Sequence, residues 1–178
     1  MSTTNGTSEQ TEQDRDQVGH GDRTEQYITF TIGDEEYGID IMAVREIKGW
    51  TETSSLPNAP DYMRGVINLR GLIVPIFDLR KRFGAGATEA TDRHVIMVVA
   101  VESRIIGILV DAVSDILTIT SDDIKPVPEM EQEFDNALLS GLVTVDDRMV
   151  ALLRLEHLFD VDGIEERSET APAASEAA

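Results

Sequence analysis

The chain of 178 residues contains no cysteine. That excludes disulfides, thiolate metal sites and a cysteine nucleophile, and it suits a reducing compartment. Aromatic residues make up only 5% of the sequence, with a single tryptophan, too few to build the stacking platforms that bind single-stranded nucleic acid. No apolar run approaches the roughly 20 residues needed to span a bilayer. The N-terminal stretch MSTTNGTSEQTEQDRDQ is polar throughout, so it lacks the apolar centre of a signal peptide. Without export, the sequon at Asn5-Gly6-Thr7 is an accident of sequence. The expected location is the cytoplasm.

Positive charge is also scarce: 15 Lys and Arg face 34 Asp and Glu, a net charge of −19. Much of the excess is terminal. Residues 1–26 hold six acids against Arg15 and Arg23, and residues 160–178 hold six acids against Arg167, giving −4 and −5. Both ends have little apolar content, so disordered acidic tails are expected over 1–24 and 164–178. A chain of this charge repels phosphate backbones and anionic lipid.

Groups for catalysis are equally thin. The three histidines, His20, His94 and His157, sit alone, with no His-x-x-x-His or Glu-x-x-His spacing for a metal. There is no Gly-x-Ser-x-Gly elbow. Gly84-Ala85-Gly86-Ala87 lacks the third glycine of a dinucleotide loop and reads as a connector. Asp34-Glu35-Glu36 and Asp122-Asp123 lack the alternating ligands of a calcium loop. The expectation is a protein that is not an enzyme, with no metal and no cofactor.

What is present is β-structure. YITFTI, from Tyr27, places Ile28, Phe30 and Ile32 on one face, the period of a half-buried strand. Gly33 to Glu36 reads as a turn and Tyr37 to Ile41 as the returning strand. IMAVREIK is too short for periodicity to choose between a short helix and an irregular strand. TSSLPNAPDY is a loop that ends in one helical turn. Val66–Leu69 and Leu72–Leu79 form two strands joined through Arg70-Gly71, and Pro75 places the second at a sheet edge or a bulge. Strands over 94–101 and 104–113 follow, then DILTIT, a proline-bearing loop, strands near 139–145 and 149–155, and a short helix at His157–Phe159.

The sequence also repeats. YGIDIMAVREI (37–47) lies without a gap over IGILVDAVSDI (106–116), with Gly38/Gly107, Ile39/Ile108, Ala43/Ala112, Val44/Val113 and Ile47/Ile116 identical. Residues 64–83 lie likewise over 140–159, matching Gly65/Gly141, Val74/Val150, Leu79/Leu155 and Phe83/Phe159. An internal duplication follows, with a first half over about 27–84 and a second over about 94–160. Each half has about 65 residues and buries little core alone, so the two must share one.

Within this acidic chain Arg64, Arg70, Arg80, Lys81 and Arg82 stand against one acid, Asp78. Such an island either keeps an edge strand soluble or forms a protein contact, where arginine pairs bidentately with carboxylates.

The same residues carry a family resemblance. RGVINLRGLIVPIFDLRKRF, with GDEEYGIDIMAVREIKGW and RIIGILVDAVSDIL, resembles the CheW family of chemotaxis coupling proteins. The likeness runs from about Glu25 to Phe159, within an expected CheW-like domain over 25–163, and the pattern NLRG-x-x-x-P-x-x-DLR is its most specific part. Neither a kinase ATP-binding segment nor a phospho-receiver is recognisable, so the resemblance implies a stand-alone adaptor. It implies an all-β fold of two small SH3-like five-stranded β-barrel subdomains around a joint hydrophobic core, with a few short helices. It also implies a non-catalytic protein that binds the cytoplasmic tip of methyl-accepting chemoreceptors and the regulatory domain of the histidine kinase CheA, and so sits in receptor arrays through its partners. A CheW-like scaffold of a non-flagellar pathway, in surface motility or second-messenger control, is the alternative. By resemblance Arg70 and Glu46 match positions of receptor-tip contact, while Val44, Gly65 and Ile116 match positions where changes disturb coupling. Gly65 is expected to matter because its backbone admits no side chain. Asp146 and Asp147 replace Arg70 and Gly71 in the second half, so the two halves are expected to serve different partners.

Overall fold

Alternation and turn chemistry build the strands. The computed structural model describes residues 23–128 and 137–159, so the expected acidic tails lie outside it except for Arg23 and Thr24. Strand β1 (Thr24–Ile32) buries Ile28, Phe30 and Ile32 and turns at Gly33, with φ of 60°, into β2 (Glu35–Asp40). The ambiguous stretch that follows resolves into both of its alternatives. The Asp40 side chain accepts the Met42 N–H and caps one 3-10 turn, Ile41–Ala43, which leads directly into β3 (Val44–Gly49). Next come β4 (Met63–Leu69), β5 (Leu72–Asp78) and the four-residue helix α1 (Leu79–Arg82), capped by Asp78.

The second half repeats the order: β6 (Val95–Val101), β7 (Arg104–Val110), β8 (Ala112–Thr120), β9 (Leu139–Val145), β10 (Arg148–Leu153) and helix α2 (Leu155–Leu158). The chain is all-β with two five-stranded sheets, ordered β8-β1-β2-β10-β9 and β3-β6-β7-β5-β4. Exchanging β1–β5 with β6–β10 converts one order into the other. Registers agree as well: Phe30 opposes Val113 where Val99 opposes Val44, and Gly141 opposes Leu152 where Gly65 opposes Ile76. The duplication is therefore visible in three dimensions. Each sheet, however, takes strands from both halves, two from one and three from the other.

Three departures from the sequence reading follow, the first two of them explained by that mixing. Residues 104–113 are not one strand: the chain breaks at Asp111, so that β7 lies in one sheet and β8 in the other. Pro75 is not on an edge strand, because β5 lies between β4 and β7; the other alternative, a bulge, is close to the outcome, since the β4–β5 ladder shifts register beside it, between Gly65–Ile76 and Met63–Phe77. Pro75 is tolerated because parallel pairing with β7 starts one residue later, at Ile76 opposite Gly107, where no proline removes a donor. The 51–62 loop ends in a hydrogen-bonded turn and not a helical one, with Met63 N–H donating to the Pro60 carbonyl at 3.0 Å.

Three apolar clusters hold the sheets. The largest takes Phe30, Ile39, Phe77 and Leu79 from the first half and Met97, Val99, Ile106, Ile108, Leu158 and Phe159 from the second. Phe77 stacks on Phe159 with centroids 4.3 Å apart. Ile67, Val74, Ile76, Ile96, Val98 and Leu109 form a cluster of their own on the first-half side, and Ile119, Val143, Val150 and Leu152 form its counterpart. Strand β6 alternates between the shared cluster (Met97, Val99) and the local one (Ile96, Val98), so both faces are covered. That is why VIMVVAV reads as a continuous apolar run.

Candidate functional site: a charged hairpin tip

Arg70 and Gly71 connect β4 to β5 in a two-residue turn. Both have left-handed backbone, φ 50° and 89°, as a hairpin turn that follows the strand twist requires. Gly71 N–H donates to Asn68 Oδ1 at 2.7 Å, which fixes the tip. From it the Arg70 side chain, 74% exposed, reaches Glu46 on β3, with Nη2 2.6 Å from Oε2 and Nη1 3.5 Å from Oε1. Because β3 and β4 are the two outer strands of one sheet, this forked pair spans the sheet's open edge. The sheet curls until its first and last strands approach. A second tie lies nearby, where Ser54 and Val66 exchange backbone hydrogen bonds at 2.9 and 2.8 Å.

Charge and hydrogen bonding act together in the pair. The Arg70 guanidinium donates to the Glu46 carboxylate and holds its pKa below the usual 4.5, while Glu46 raises that of Arg70 further. Exposed apolar residues neighbour the pair in sequence: Ile47 follows Glu46 on β3, and Leu72 and Ile73 open β5, alternating between the faces of the sheet. The tip therefore offers a partner both ion pairing and apolar contact.

The other residues singled out in the sequence fall elsewhere. Gly65 lies in β4 at a register shift, with φ of 140°. A Cβ there would overlap the Ser54 carbonyl, so the close approach that lets Ser54 pair with the next residue, Val66, admits no side chain at Gly65. Val44 starts β3, half-buried against the shared core and opposite Val99. Ile116 belongs to the other sheet, on outer strand β8, and is 51% exposed. It is the counterpart of Ile47, itself exposed. The structure thus joins Arg70 to Glu46, sets Gly65 and Val44 behind them in the same sheet, and leaves Ile116 apart.

The rest of the basic island is bound within the fold. Arg80 pairs with Asp111 at 2.8 Å and Lys81 with Asp61 at 3.7 Å, while Arg82 donates to the Leu158 carbonyl and stacks over Tyr62. Arg64 donates to the Thr88 carbonyl at 2.6 Å, lies 3.4 Å from Asp78 and covers the Trp50 ring at 5.0 Å. The sequence reading missed Asp78 as more than a charge in the run. It is 1% exposed and accepts from Thr88 N–H and Oγ1–H, each at 2.7 Å, and from Lys81 N–H. An acid inside an apolar strand just before a helix was the available signal. His94 Nδ1 accepts the Thr91 N–H at 3.0 Å and so closes a turn. Among the described residues no group of three His, Asp or Glu side chains is placed to hold a metal, and no helix is long and apolar enough to cross a membrane.

Comparison with known proteins places this geometry in a family. The model of the CheW-like domain matches residues 26–162. The chain is 47% identical over 142 residues to a probable chemotaxis protein CheW of Rhizobium etli, covering 80% of this chain and 90% of that protein. It is 48% identical over 132 residues to the chemotaxis protein CheW of Rhizobium meliloti, covering 74% and 85% respectively. Among solved structures, the scaffolding protein TtCheW of Thermoanaerobacter tengcongensis superposes with a TM-score of 0.71 at 33% identity, over 81% of this chain and 93% of that one.

Proposed function

The chain belongs to the CheW-like domain family, and from that premise we propose that it is a non-catalytic adaptor coupling chemoreceptor cytoplasmic tips to the histidine kinase CheA. The observation that carries the reading is the Arg70–Glu46 pair: a forked, exposed ion pair at a hairpin tip, flanked by exposed Ile47, Leu72 and Ile73. Mixed charged and apolar surface of this kind suits a protein partner, since arginine and apolar anchors dominate interface cores. In this reading Arg70 and Glu46 are the charged specificity contacts for the receptor tip. Val44 and Gly65 hold β3 and β4 in the geometry the tip needs, and Ile116 serves the second partner from the other sheet.

The family resemblance and the names of the relatives support the adaptor role, and the unlike turns of the two halves support two unlike partners. No partner is covalently changed in this mechanism. Two binding events on one rigid body raise the local concentration of kinase and receptor to each other. Separate pull-downs with a receptor-tip fragment and with the kinase regulatory domain test it. Arg70→Glu should weaken the first and spare the second. Equal loss of both, or of neither, overturns the assignment.

A further inference from the structure

Among the described residues, the ladders contained within a half are hairpins, β1–β2 and β4–β5 in the first, β6–β7 and β9–β10 in the second, supplemented by the single bridges Ser54–Val66 and Lys125–Leu142. Every other ladder, β1–β8, β2–β10, β3–β6 and β5–β7, joins one half to the other. The shared core crosses the same divide, through Phe77 on Phe159 and Arg82 on the Leu158 carbonyl. A half alone is therefore a set of hairpins with open edges, and it needs its complement.

We propose that two copies of this chain exchange those complements, so that β8, β9 and β10 of one copy complete the sheet begun by β1 and β2 of the other. A second copy presents the same partner surfaces, so every ladder and core contact is kept. Only the connector between α1 and β6 has to change path. Its first part suits that change: Gly84, Ala85, Gly86 and Ala87 are exposed, and a Cβ added at either glycine would meet nothing within 4 Å; the Gly84 and Ala85 N–H groups bond to the Lys81 and Arg80 carbonyls of α1. Its hold on the body is Thr88, bonded to Asp78 and to Arg64, and Ala90, packed against the cluster of Ile67 and Val74. The stretch 84–93, fully extended, reaches roughly 33–36 Å. A connector of this kind gives the two halves of one chain an effective concentration in the mM range. The monomer therefore dominates in dilute solution, and exchange grows when chains fold at concentrations near that range. The intertwined dimer carries two Arg70–Glu46 tips, and each of its sheets mixes residues of both copies. This inference goes beyond the adaptor reading and does not depend on it.

The absence of cysteine gives a direct test. Gln26 and Thr118 face each other across the β1–β8 ladder, exposed, with Gln26 Nε2 3.3 Å from Thr118 Oγ1. Gln26→Cys and Thr118→Cys chains are unfolded together, refolded at about 1 mM and oxidised, then compared with each variant treated alone. The expected result is a covalent dimer in the mixture that neither variant gives alone, together with a species of twice the chain mass in wild type refolded the same way. The double variant in one dilute chain should instead close within the monomer. A natively refolded mixture without mixed covalent dimer, or covalent dimer formed equally by each variant alone, overturns the proposal. Wild type that is wholly monomeric after refolding at that concentration overturns it as well.

Discussion

Arg70 and Asp146 hold the same left-handed backbone, φ 50° and 47°, at corresponding hairpin tips, and carry opposite charges. The duplication has kept the turn and changed what the turn displays. At the first tip Arg70 binds Glu46 across the sheet edge. Next to the second, Arg148 pairs with Glu36 at 2.9 Å, but between the neighbouring strands β10 and β2 and not across the sheet edge. The two turns share a backbone conformation and display unlike charge, as the proposed binding of two different partners requires.

Reversing Arg70 separates a partner contact from a structural one. An exposed pair adds little to folding, so Arg70→Glu should leave the melting temperature within about 2 °C while weakening receptor-tip binding by about tenfold or more. Exchanging both charges, Arg70→Glu with Glu46→Arg, rebuilds the pair but presents the partner with the wrong signs. Binding should stay weak in the exchanged variant, measured by calorimetry. Full recovery would make the pair purely structural.

The pair also sets a pH window. The Glu46 pKa is depressed by Arg70, so the ionised pair persists above the usual glutamate pKa and is lost only as pH falls through the lowered value. A carboxyl NMR titration should place Glu46 below 4.5 in the wild type and return it toward that value in Arg70→Ala. An unmoved titration would show that the two side chains do not meet in solution.

Ile116 stands 51% exposed, so Ile116→Ser should melt like the wild type. Binding of one partner should nevertheless fall severalfold if that side chain is an apolar anchor. Val44→Ala should act through stability instead, since Val44 packs against the shared core; it should cost about 1 kcal/mol and weaken receptor-tip binding less than Arg70→Glu does. Denaturant titrations beside pull-downs distinguish the two.

Two glycines of β4–β5 differ in kind. Gly65→Ala puts a Cβ into the Ser54 carbonyl in a left-handed backbone and should cost about 3 kcal/mol. Gly71→Ala meets open space and carries only the conformational cost, about 1 kcal/mol. Urea unfolding of both variants checks the order, and equal losses would contradict the steric argument.

Asp78 is the polar centre beneath α1. Removing it leaves the Thr88 N–H and hydroxyl without their acceptor and takes away the carboxylate beside Arg64, which keeps only the Thr88 carbonyl, so Asp78→Ala should destabilise by about 3–4 kcal/mol. Trp50 fluorescence should shift as Arg64 loses its hold over that ring. A variant that unfolds like the wild type would show the network to be dispensable.

The hairpins were legible because local chemistry writes them: alternation in YITFTI, Gly33 at one turn, Arg70-Gly71 at another. The repeat was legible too, through Gly38/Gly107 and Gly65/Gly141, and both members of the second pair are positions where an added Cβ would overlap a neighbour. The mixing of halves was not, because pairing such as Ile28 with Ile116 or Val44 with Val99 leaves no local trace. Pro75 misled for the same reason: whether a strand is an edge depends on partners far along the chain. The type of residue at the candidate site could be read from Arg70 and Glu46. That they touch could not, since it follows from the curl of a sheet that brings its outer strands together.

The central claim is that this chain bridges two proteins at once. The direct measurement immobilises a receptor-tip fragment and asks how much kinase regulatory domain it retains with and without the chain. The account predicts retention that rises with added wild type and is lost with Arg70→Glu, while the variant still binds the kinase domain alone. Retention independent of the chain, or binding of the two partners in mutual exclusion, would contradict it.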